Sequence, residues 1–231
     1  MTENLFSNLS PITSKPSTLT DFVFDALCEN IIHGRLGPGE RLREAEVARA
    51  LGVSRTPIRE AFARMEHQNL IQRDTSGAYY VTHWDRNTLW EVATLRGALE
   101  GLAIQLAASH AVTKDFEQFD QITNEMERFQ DQGNHDNLIA LDMQFHTLVW
   151  SLSQHTLLQQ ALNDIRAQVM LFMHLTRPGE ERGYADTHRL LIRLMKSGDL
   201  QAASEKIREH ILNTARRGIL RMEEMDQEHL K

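Results

Sequence analysis

The chain has 231 residues, of which 41% are hydrophobic and 25% are charged, and its formal net charge is −7. This composition is typical of one large or two small globular domains and excludes an intrinsically disordered chain. The single cysteine, Cys28, excludes a disulfide framework, and no window approaches 18 consecutive apolar residues. The first residues lack the basic segment and apolar run of a signal peptide, so we expect a cytoplasmic protein without membrane association.

The N-terminal part of the chain predicts an arm followed by a small domain. Residues 1–17 contain Asn, Ser, Thr and two prolines without an apolar period, which predicts a mobile arm. After it, three helices are expected: one from Thr18 with Leu19, Phe22, Val23, Ala26, Leu27, Ile31 and Ile32 on one face, one over Glu44–Leu51, and one with Ser54 as N-cap. Two short strands around Ser76 and Gly77 complete a winged helix-turn-helix over residues 18–83.

The C-terminal part, residues 84–231, has a helical period throughout, with Gly and Pro confined to joints. It predicts a mainly α fold in which six helices joined by short loops pack as an antiparallel bundle. The expected helices are Arg86–Ser109, Thr113–Gln132, Asp136–Ser153, Thr156–Thr176, Tyr184–Lys196 and Asp199 to about Glu224.

The net charge is divided unevenly between these parts, at −1 for residues 1–83 and −6 for residues 84–231. Residues 35–73 contain 8 Arg against 5 Glu, and arginine suits bidentate contacts with guanine edges and phosphates. Arg55, Thr56 and Arg59 lie at the start of the second helix of the predicted motif, where base contacts are made. We expect Arg43, Ser54, Arg73 and Gly77 to contribute further DNA contacts. The alternative is that these arginines are solvated surface charges.

A family resemblance favours the DNA-binding interpretation. The stretch GRLGPGERLREAEVARALGVSRTPIREAFARMEHQNLI closely resembles the DNA-binding domain of the GntR family of bacterial transcription regulators, and its SRTPIREA run is highly specific. The resemblance implies that Arg55 and Arg59 contact DNA, with Thr56 between them.

Four polar residues of the helical part suggest a metal site. Asp142 and His146 are spaced i, i+4 on a face that also carries apolar residues, and His188 and His210 lie among apolar residues of later helices. A carboxylate and three imidazoles that project into a bundle core can bind a first-row divalent metal. For any one of these histidines alone, the alternative is a structural residue with a hydrogen-bond partner.

Residues 84–231 also resemble the FCD ligand-binding domain of the FadR subfamily. Its signature of Asp-x3-His followed by two histidines falls on Asp142, His146, His188 and His210. Six helices would place the chain in the shorter, VanR-like branch. The resemblance implies a divalent metal with open coordination positions to which a small carboxylate effector binds. Zn is the first candidate, and Ni, Mn and Fe have similar ligand preferences.

Arg96 and Glu100 form a second i, i+4 pair beside the apolar face of their helix. This pair could be a structural ion pair or a dimer contact. Because the matching arginine of the family faces the effector cavity, the resemblance makes Arg96 the first candidate to bind an effector carboxylate. His174, Arg177 and Tyr184 are further candidates at the cavity mouth. We expect the other histidines to be surface or structural residues.

The sequence therefore predicts an effector-responsive transcription regulator, expected to act as a repressor, that binds a pseudo-palindromic operator as a homodimer. Two alternatives remain open. One is a metal-dependent hydrolase or lyase that uses the four polar residues to activate water. The other is a purely structural metal in a domain that only dimerises.

Overall fold

The computed structural model describes residues 18–176 and 183–228, so the predicted arm over residues 1–17 lies outside the described residues. The N-terminal elements are α1 (Leu19–Ile32), β1 (Arg41–Leu42), α2 (Glu44–Leu51), α3 (Arg55–His67), β2 (Ile71–Arg73) and β3 (Tyr79–Val81). The C-terminal elements are α4 (Arg86–His110), α5 (Thr113–Asp131), α6 (His135–Leu152), α7 (Thr156–Asp164), α8 (Arg166–Thr176), α9 (Tyr184–Ser197) and α10 (Leu200–Glu228).

The helix-turn-helix consists of α2 and α3, as predicted. α2 ends at Gly52, whose φ of 67° lies in the left-handed region that favours glycine. α3 follows directly after Ser54 and packs its apolar face into the N-terminal core, where Ile58, Phe62 and Met65 are fully buried. This packing turns the opposite side of the first turn of α3 toward solvent.

The wing is a three-stranded antiparallel sheet with the order β1-β3-β2. The two predicted strands pair with Ile71 opposite Val81 and Arg73 opposite Tyr79. The third strand, β1, was not predicted, because two residues are too few to show an alternating pattern. It joins the outer side of β3 through Arg41 and Leu42.

The predicted buried face of α1 is partly wrong. Leu19 and Phe22 are 52% and 62% exposed, whereas the core side of the helix is formed by Val23, Phe24, Leu27, Cys28 and Ile31. Apolar residues occur on more than one side of this helix, so periodicity alone could not identify the side that packs against α3.

The helical domain, α4–α10, is organised around α4, which packs along α10 and also contacts α6. Two glycines of α4 allow the close approach of α10. A Cβ on Gly101 would lie 2.8 Å from Ser204 Oγ, and one on Gly97 would lie 3.3 Å from Cγ of Arg208. This close pairing fixes the positions of the α4 and α10 residues that face the domain interior.

The winged helix-turn-helix and helical bundle are confirmed, but the number of helices in the bundle is corrected. The predicted helix Thr156–Thr176 is interrupted at Ile165, so the described part of the domain has seven helices. The segment around the break contains no Gly or Pro, and only the weak helix formers Asn163 and Asp164 precede it. The assignment to the VanR-like branch depended on six helices and loses that basis.

α8 connects the two parts of the molecule. The buried Gln168 side chain donates through Nε2 to the backbone oxygen of Gln68 at 2.7 Å. Phe172 packs edge to face against Trp84 in the connection between β3 and α4, with ring centroids 5.2 Å apart. None of the described helices combines the length and apolar character needed to cross a membrane.

Candidate metal centre and DNA-binding surface

The four predicted metal ligands converge inside the helical domain. Asp142 and His146 come from α6, His188 from α9 and His210 from α10, and one ligand atom from each lies within 4.8 Å of the others. The Nε2 atoms of His188, His146 and His210 lie 3.0, 3.5 and 3.8 Å from carboxylate oxygens of Asp142. Ligands about 2.1 Å from a tetrahedral zinc ion are separated by about 3.4 Å. The observed spacing therefore fits a single ion.

Hydrogen bonds orient the rings of two of the imidazoles. His188 Nδ1 lies 3.1 Å from the backbone oxygen of Tyr184, and His146 Nδ1 contacts a carboxylate oxygen of Glu100. Both partners are acceptors, so each Nδ1 donates a hydrogen bond and each Nε2 is turned toward Asp142. These two Nε2 atoms are buried and have no hydrogen-bond partner among the described residues. A hydrogen bond on the other ring nitrogen is the arrangement that orients histidine ligands toward a metal.

The charges around the centre also favour a cation. Arg96 Nε donates to Glu100 at 2.5 Å, and Tyr184 donates its hydroxyl to Asp142 at 2.5 Å. Burial alone would raise the pKa of Glu100, but Arg96 and His146 outweigh it and hold this pKa at about 2. Arg96 compensates one of the two buried carboxylates, Glu100 and Asp142, and either a protonated histidine or a bound cation can compensate the other. An uncompensated buried charge is unfavourable, and a bound cation would compensate it.

His210 can serve as a neutral ligand. Burial, aided by the nearby imidazoles, lowers the pKa of His210 to about 4 despite the opposing effect of Asp142. The pKa of Asp142 lies well below its usual range because the histidines around it outweigh the effect of burial. At neutral pH the set therefore offers an ionised carboxylate and at least one deprotonated imidazole, which is the form that binds metals.

A cavity of about 40 Å³ adjoins the centre. Its polar side is lined by Asp142, His210, Arg96 and Tyr184. Its apolar side includes Leu89, Val92, Val169, Phe172, Met173 and Ile211. The Nη2 atom of Arg96 is buried without a hydrogen-bond partner among the described residues, and it lies 4.0 Å from an oxygen of Asp142. An arginine with a free donor next to an apolar wall can bind the carboxylate of a small ligand.

The other predicted effector residues do not all lie at this cavity. Tyr184 does, and Arg177 lies outside the described residues. His174 is placed elsewhere: its Nδ1 lies 3.8 Å from Asp136, and its ring packs against His33. The prediction that His174 lies at the cavity mouth is therefore corrected. Each helical residue is rotated by about 100°, so position 174 points away from the α8 face that carries Phe172.

Glu100 is a member of the centre that the sequence did not identify. One of its carboxylate oxygens pairs with Arg96 within α4, as the i, i+4 spacing suggested. The other contacts His146, a residue 46 positions away. No local pattern could indicate the second contact, because it depends on how α4 and α6 pack. The dimer-contact alternative for the pair is wrong, since Arg96 and Glu100 are both buried.

On the DNA-binding side, the predicted residues form an exposed surface. Arg55 and Thr56 are exposed in the first turn of α3. Arg59 is paired with Glu44 of α2 at 2.8 Å, and Arg43 with Glu46 at the same distance. Ser54 occupies the N-cap position but makes no side-chain capping hydrogen bond, so its hydroxyl is not engaged in the helix. These side chains can be presented to a nucleic acid without disturbing the core.

Local hydrogen bonds stabilise the turn of the wing. Arg73 Nε donates to the backbone oxygen of Gly77 at 3.2 Å. Asp74 accepts from the backbone N–H groups of Ser76 at 2.8 Å and Ala78 at 2.9 Å, which closes the turn. Gly77 has a φ of 84°, which a residue with a side chain rarely adopts. The turn therefore presents backbone groups and Arg73 in one conformation.

Comparisons with known proteins identify both parts of the chain. A model of the FCD domain matches residues 91–213, more than half of the chain, and a model described as bacterial regulatory proteins of the gntR family matches residues 19–81. The Bacillus subtilis protein YdhC, described as an uncharacterized HTH-type transcriptional regulator, is 27% identical over 201 residues that cover 85% of this chain and 89% of its own.

Two further matches, one to a protein sequence and one to a solved structure, also cover most of the chain. A probable D-xylose utilization operon transcriptional repressor from Paenarthrobacter nicotinovorans is 28% identical over 198 residues, covering 84% of this chain and 86% of its own. The solved structure of E. coli McbR/YncC has the same fold, with a TM-score of 0.74 at 23% identity, and the match covers 91% of this chain and 99% of that one.

These matches decide between the classes of function left open by the sequence. The relatives are described as transcription regulators rather than hydrolases or lyases, and they match over both the winged helix-turn-helix and the helical domain. Arg55 and Arg59 of α3 and Arg73 of the wing are exposed. The chain belongs to the GntR family and is a DNA-binding transcription regulator that carries an FCD domain.

Proposed function

We propose that this regulator responds to a small carboxylate or sugar-acid metabolite through a divalent metal held in its helical domain, and that it acts as a repressor. The observation that carries the proposal is the buried set of Asp142, His146 and His188, in which two imidazole Nε2 atoms face a carboxylate and have no hydrogen-bond partner among the described residues. The repressor assignment follows the description of one relative.

The residues that would hold the metal are Asp142, His146, His188 and His210. Zn is the first candidate, and Ni, Mn or Fe would accept the same ligands. When bound, the ion would supply a Lewis-acidic position at which a carboxylate oxygen can coordinate. Glu100 and the backbone oxygen of Tyr184 would keep His146 and His188 oriented by accepting their Nδ1 protons.

Arg96 would provide the second contact to the effector carboxylate. Its Nε is occupied by Glu100, which fixes the guanidinium, while its Nη2 remains available on the cavity side. The cavity has room for about three water molecules, since each needs about 10–15 Å³. Only a small ligand fits this volume, and a larger sugar acid would have to displace the apolar side chains of α8.

That displacement suggests how effector binding in the cavity would be transmitted to the DNA-binding surface. Val169, Phe172 and Met173 of α8 line the cavity, while Gln168 and Phe172 of the same helix contact Gln68 and Trp84. A movement of α8 would therefore change the position of the winged helix-turn-helix. Coupling of this kind is typically worth about 1–3 kcal/mol, or about 5- to 150-fold in operator affinity.

We further propose a homodimer on a pseudo-palindromic operator. Leu95 and Leu102, seven residues apart on α4, are 48% and 44% exposed and lie on one side of the helix. A symmetric contact through this apolar strip would bury it and set the spacing of the two α3 helices. Sedimentation of Leu95→Glu/Leu102→Glu should show loss of the dimer, and an unchanged dimer would show that another surface forms it.

The metal assignment is tested by metal analysis of dialysed protein prepared without affinity-tag histidines. The wild type should retain one tightly bound divalent ion per chain. His146→Ala and His188→Ala should lose it and stay folded, while His67→Ala, which removes an exposed histidine of α3, should retain it. Full retention by the first two variants would overturn the proposed ligand set.

The effector assignment is tested by thermal shift and operator binding with a panel of small carboxylates and sugar acids. A genuine effector should weaken operator binding, and its effect should disappear after metal removal and in Arg96→Ala. Tyr184→Phe provides a second variant that keeps the ring but removes the hydroxyl bonded to Asp142. If a metal is bound but no carboxylate changes operator affinity, the metal is structural and the regulatory proposal is wrong.

A further inference from the structure

A second group of metal-ligating side chains lies at the junction between the winged helix-turn-helix and the helical domain. It consists of His33 at the C-terminal end of α1, Asp136 in the first turn of α6 and His174 in the last turn of α8. One potential ligand atom from each lies within 4.8 Å of the others. None of these residues contributes to the centre around Asp142.

We infer that this junction cluster is a second binding site for a divalent cation that prefers imidazole ligands, such as Zn²⁺, and that the ion links the two domains.

The distances are close to those that an ion needs. His174 Nδ1 lies 3.8 Å from Asp136 Oδ1, against about 3.4 Å between ligands of a tetrahedral zinc ion. His33 packs edge to face on His174 with ring centroids 5.1 Å apart, so their nitrogens can approach one ion. The side chain of Asp136 is 76% exposed and can change rotamer freely. Small side-chain rotations are therefore sufficient to complete the site.

The surroundings leave room for the ion and for further ligands. The three residues line an open groove of about 680 Å³, which also includes the side chain of His135. The Nδ1 atom of His135 is buried and has no hydrogen-bond partner among the described residues. Water in the groove would complete the coordination.

The position of the site gives it a consequence for the protein. His33 belongs to the DNA-binding part, whereas Asp136 and His174 belong to the helical domain. A bound ion would hold α1 against α8, the helix that also lines the buried cavity. Both metal sites would then act on α8. An effector at the buried centre would act through Phe172, and an ion at the junction would act through His174.

The test is an equilibrium Zn²⁺ titration of tag-free, full-length protein against a chromophoric chelator. Wild-type protein that already holds its tight ion should bind one additional equivalent. This additional equivalent should be lost in each of three variants, His33→Ala, His174→Ala and Asp136→Asn. It should be kept in His67→Ala. Because Asp136 is exposed, Asp136→Asn gives a result even if a histidine variant folds poorly. No additional equivalent in the wild type, or its persistence in the three variants, would overturn the inference.

Two measurements separate this site from the buried centre and test the link between domains. His146→Ala should lose the tight ion but keep the junction equivalent, so failure of one site leaves the other testable. The added equivalent should slow amide hydrogen exchange at the end of α1 in the wild type but not in Asp136→Asn. Unchanged exchange in the wild type, despite binding, would contradict the proposed link.

Discussion

The winged helix-turn-helix and the helical domain place their functional side chains in opposite environments. Arg43, Arg55 and Arg59 are exposed; Arg43 pairs with Glu46 within the first turn of α2, and Arg59 of α3 pairs with Glu44 of α2. Arg96 is buried, and its partner Glu100 is bonded in turn to a histidine of another helix. Exposed arginines contribute little to folding and are available to DNA, whereas the buried arginine is part of the core.

This difference indicates which substitutions should affect binding alone and which should also affect stability. A change in a surface arginine should alter binding and leave stability intact. A change in the buried network should alter stability as well as ligand binding, because each group compensates the charge of another. Four experiments test this contrast, in decreasing order of effect.

Arg96→Ala should have the largest effect on stability. It leaves the Glu100 carboxylate buried without its cation, and breaking such a pair typically costs about 3–5 kcal/mol. Urea denaturation should show this loss in the free energy of unfolding. Arg128→Ala, which breaks an exposed pair with Glu125 on α5, is the matched control and should cost less than about 1 kcal/mol. Equal costs for the two variants would refute the contrast.

Acidification should destabilise the metal-free protein in two stages. His210 has a pKa of about 4, below the ordinary histidine value of 6.5, so its contribution is complete above pH 6.5 and is lost as the pH falls through 4. Glu100 has a pKa of about 2, below 4.5, so its contribution is lost between pH 4.5 and 2. We expect a loss of about 3 kcal/mol in the first stage.

Denaturation series at several pH values check this expectation. His210→Gln should flatten the profile between pH 6.5 and 4 while the lower stage remains. If the wild type were equally stable at pH 6.5 and pH 4.5, the buried imidazole would not be neutral as described.

Arg55→Ala should show the converse behaviour. A base-contacting arginine is worth about 1–3 kcal/mol of operator affinity, and its loss should also relax base preference at one position of each half-site. Stability should change by less than about 0.5 kcal/mol, because the residue is exposed at the start of α3. Mobility-shift titrations against operator variants measure the first effect. If Arg55→Ala bound the operator as tightly as Arg128→Ala does, Arg55 would not contact the DNA.

Glu44→Gln should have the smallest effect. It releases Arg59 from an ion pair in which the arginine side chain is 65% exposed, and such pairs contribute about 0–1 kcal/mol. Stability should hardly change, and the freed guanidinium should steepen the dependence of DNA affinity on salt by up to about one phosphate contact. A marked loss of stability would show that this surface pair is part of the core after all.

The fold was predictable where local signals define it. α2 was predicted with its observed bounds, because Gly52 supplies a glycine-specific end. The face of α1, the two-residue β1 and the break at Ile165 were not, because α1 has apolar residues on more than one side, β1 is too short to show an alternating pattern, and no Gly or Pro marks the break. Local sequence therefore defined the elements better than the contacts between them.

The candidate sites follow the same division. Asp142 and His146 could be identified because an i, i+4 pair of ligand types on an apolar face is a local pattern. The role of Glu100 and the cluster of His33, Asp136 and His174 could not, because they join residues that are far apart in sequence. His174 was considered only in connection with the wrong cavity for the same reason.

The most direct test of the account is anomalous diffraction at the zinc absorption edge from crystals of the full-length, tag-free protein. We expect an anomalous peak in the buried centre, at bonding distance from Asp142 and from the Nε2 atoms of His146, His188 and His210. An ordered water or an empty position among these four side chains, in protein supplied with the metal, would contradict the claim that a metal connects this domain to an effector.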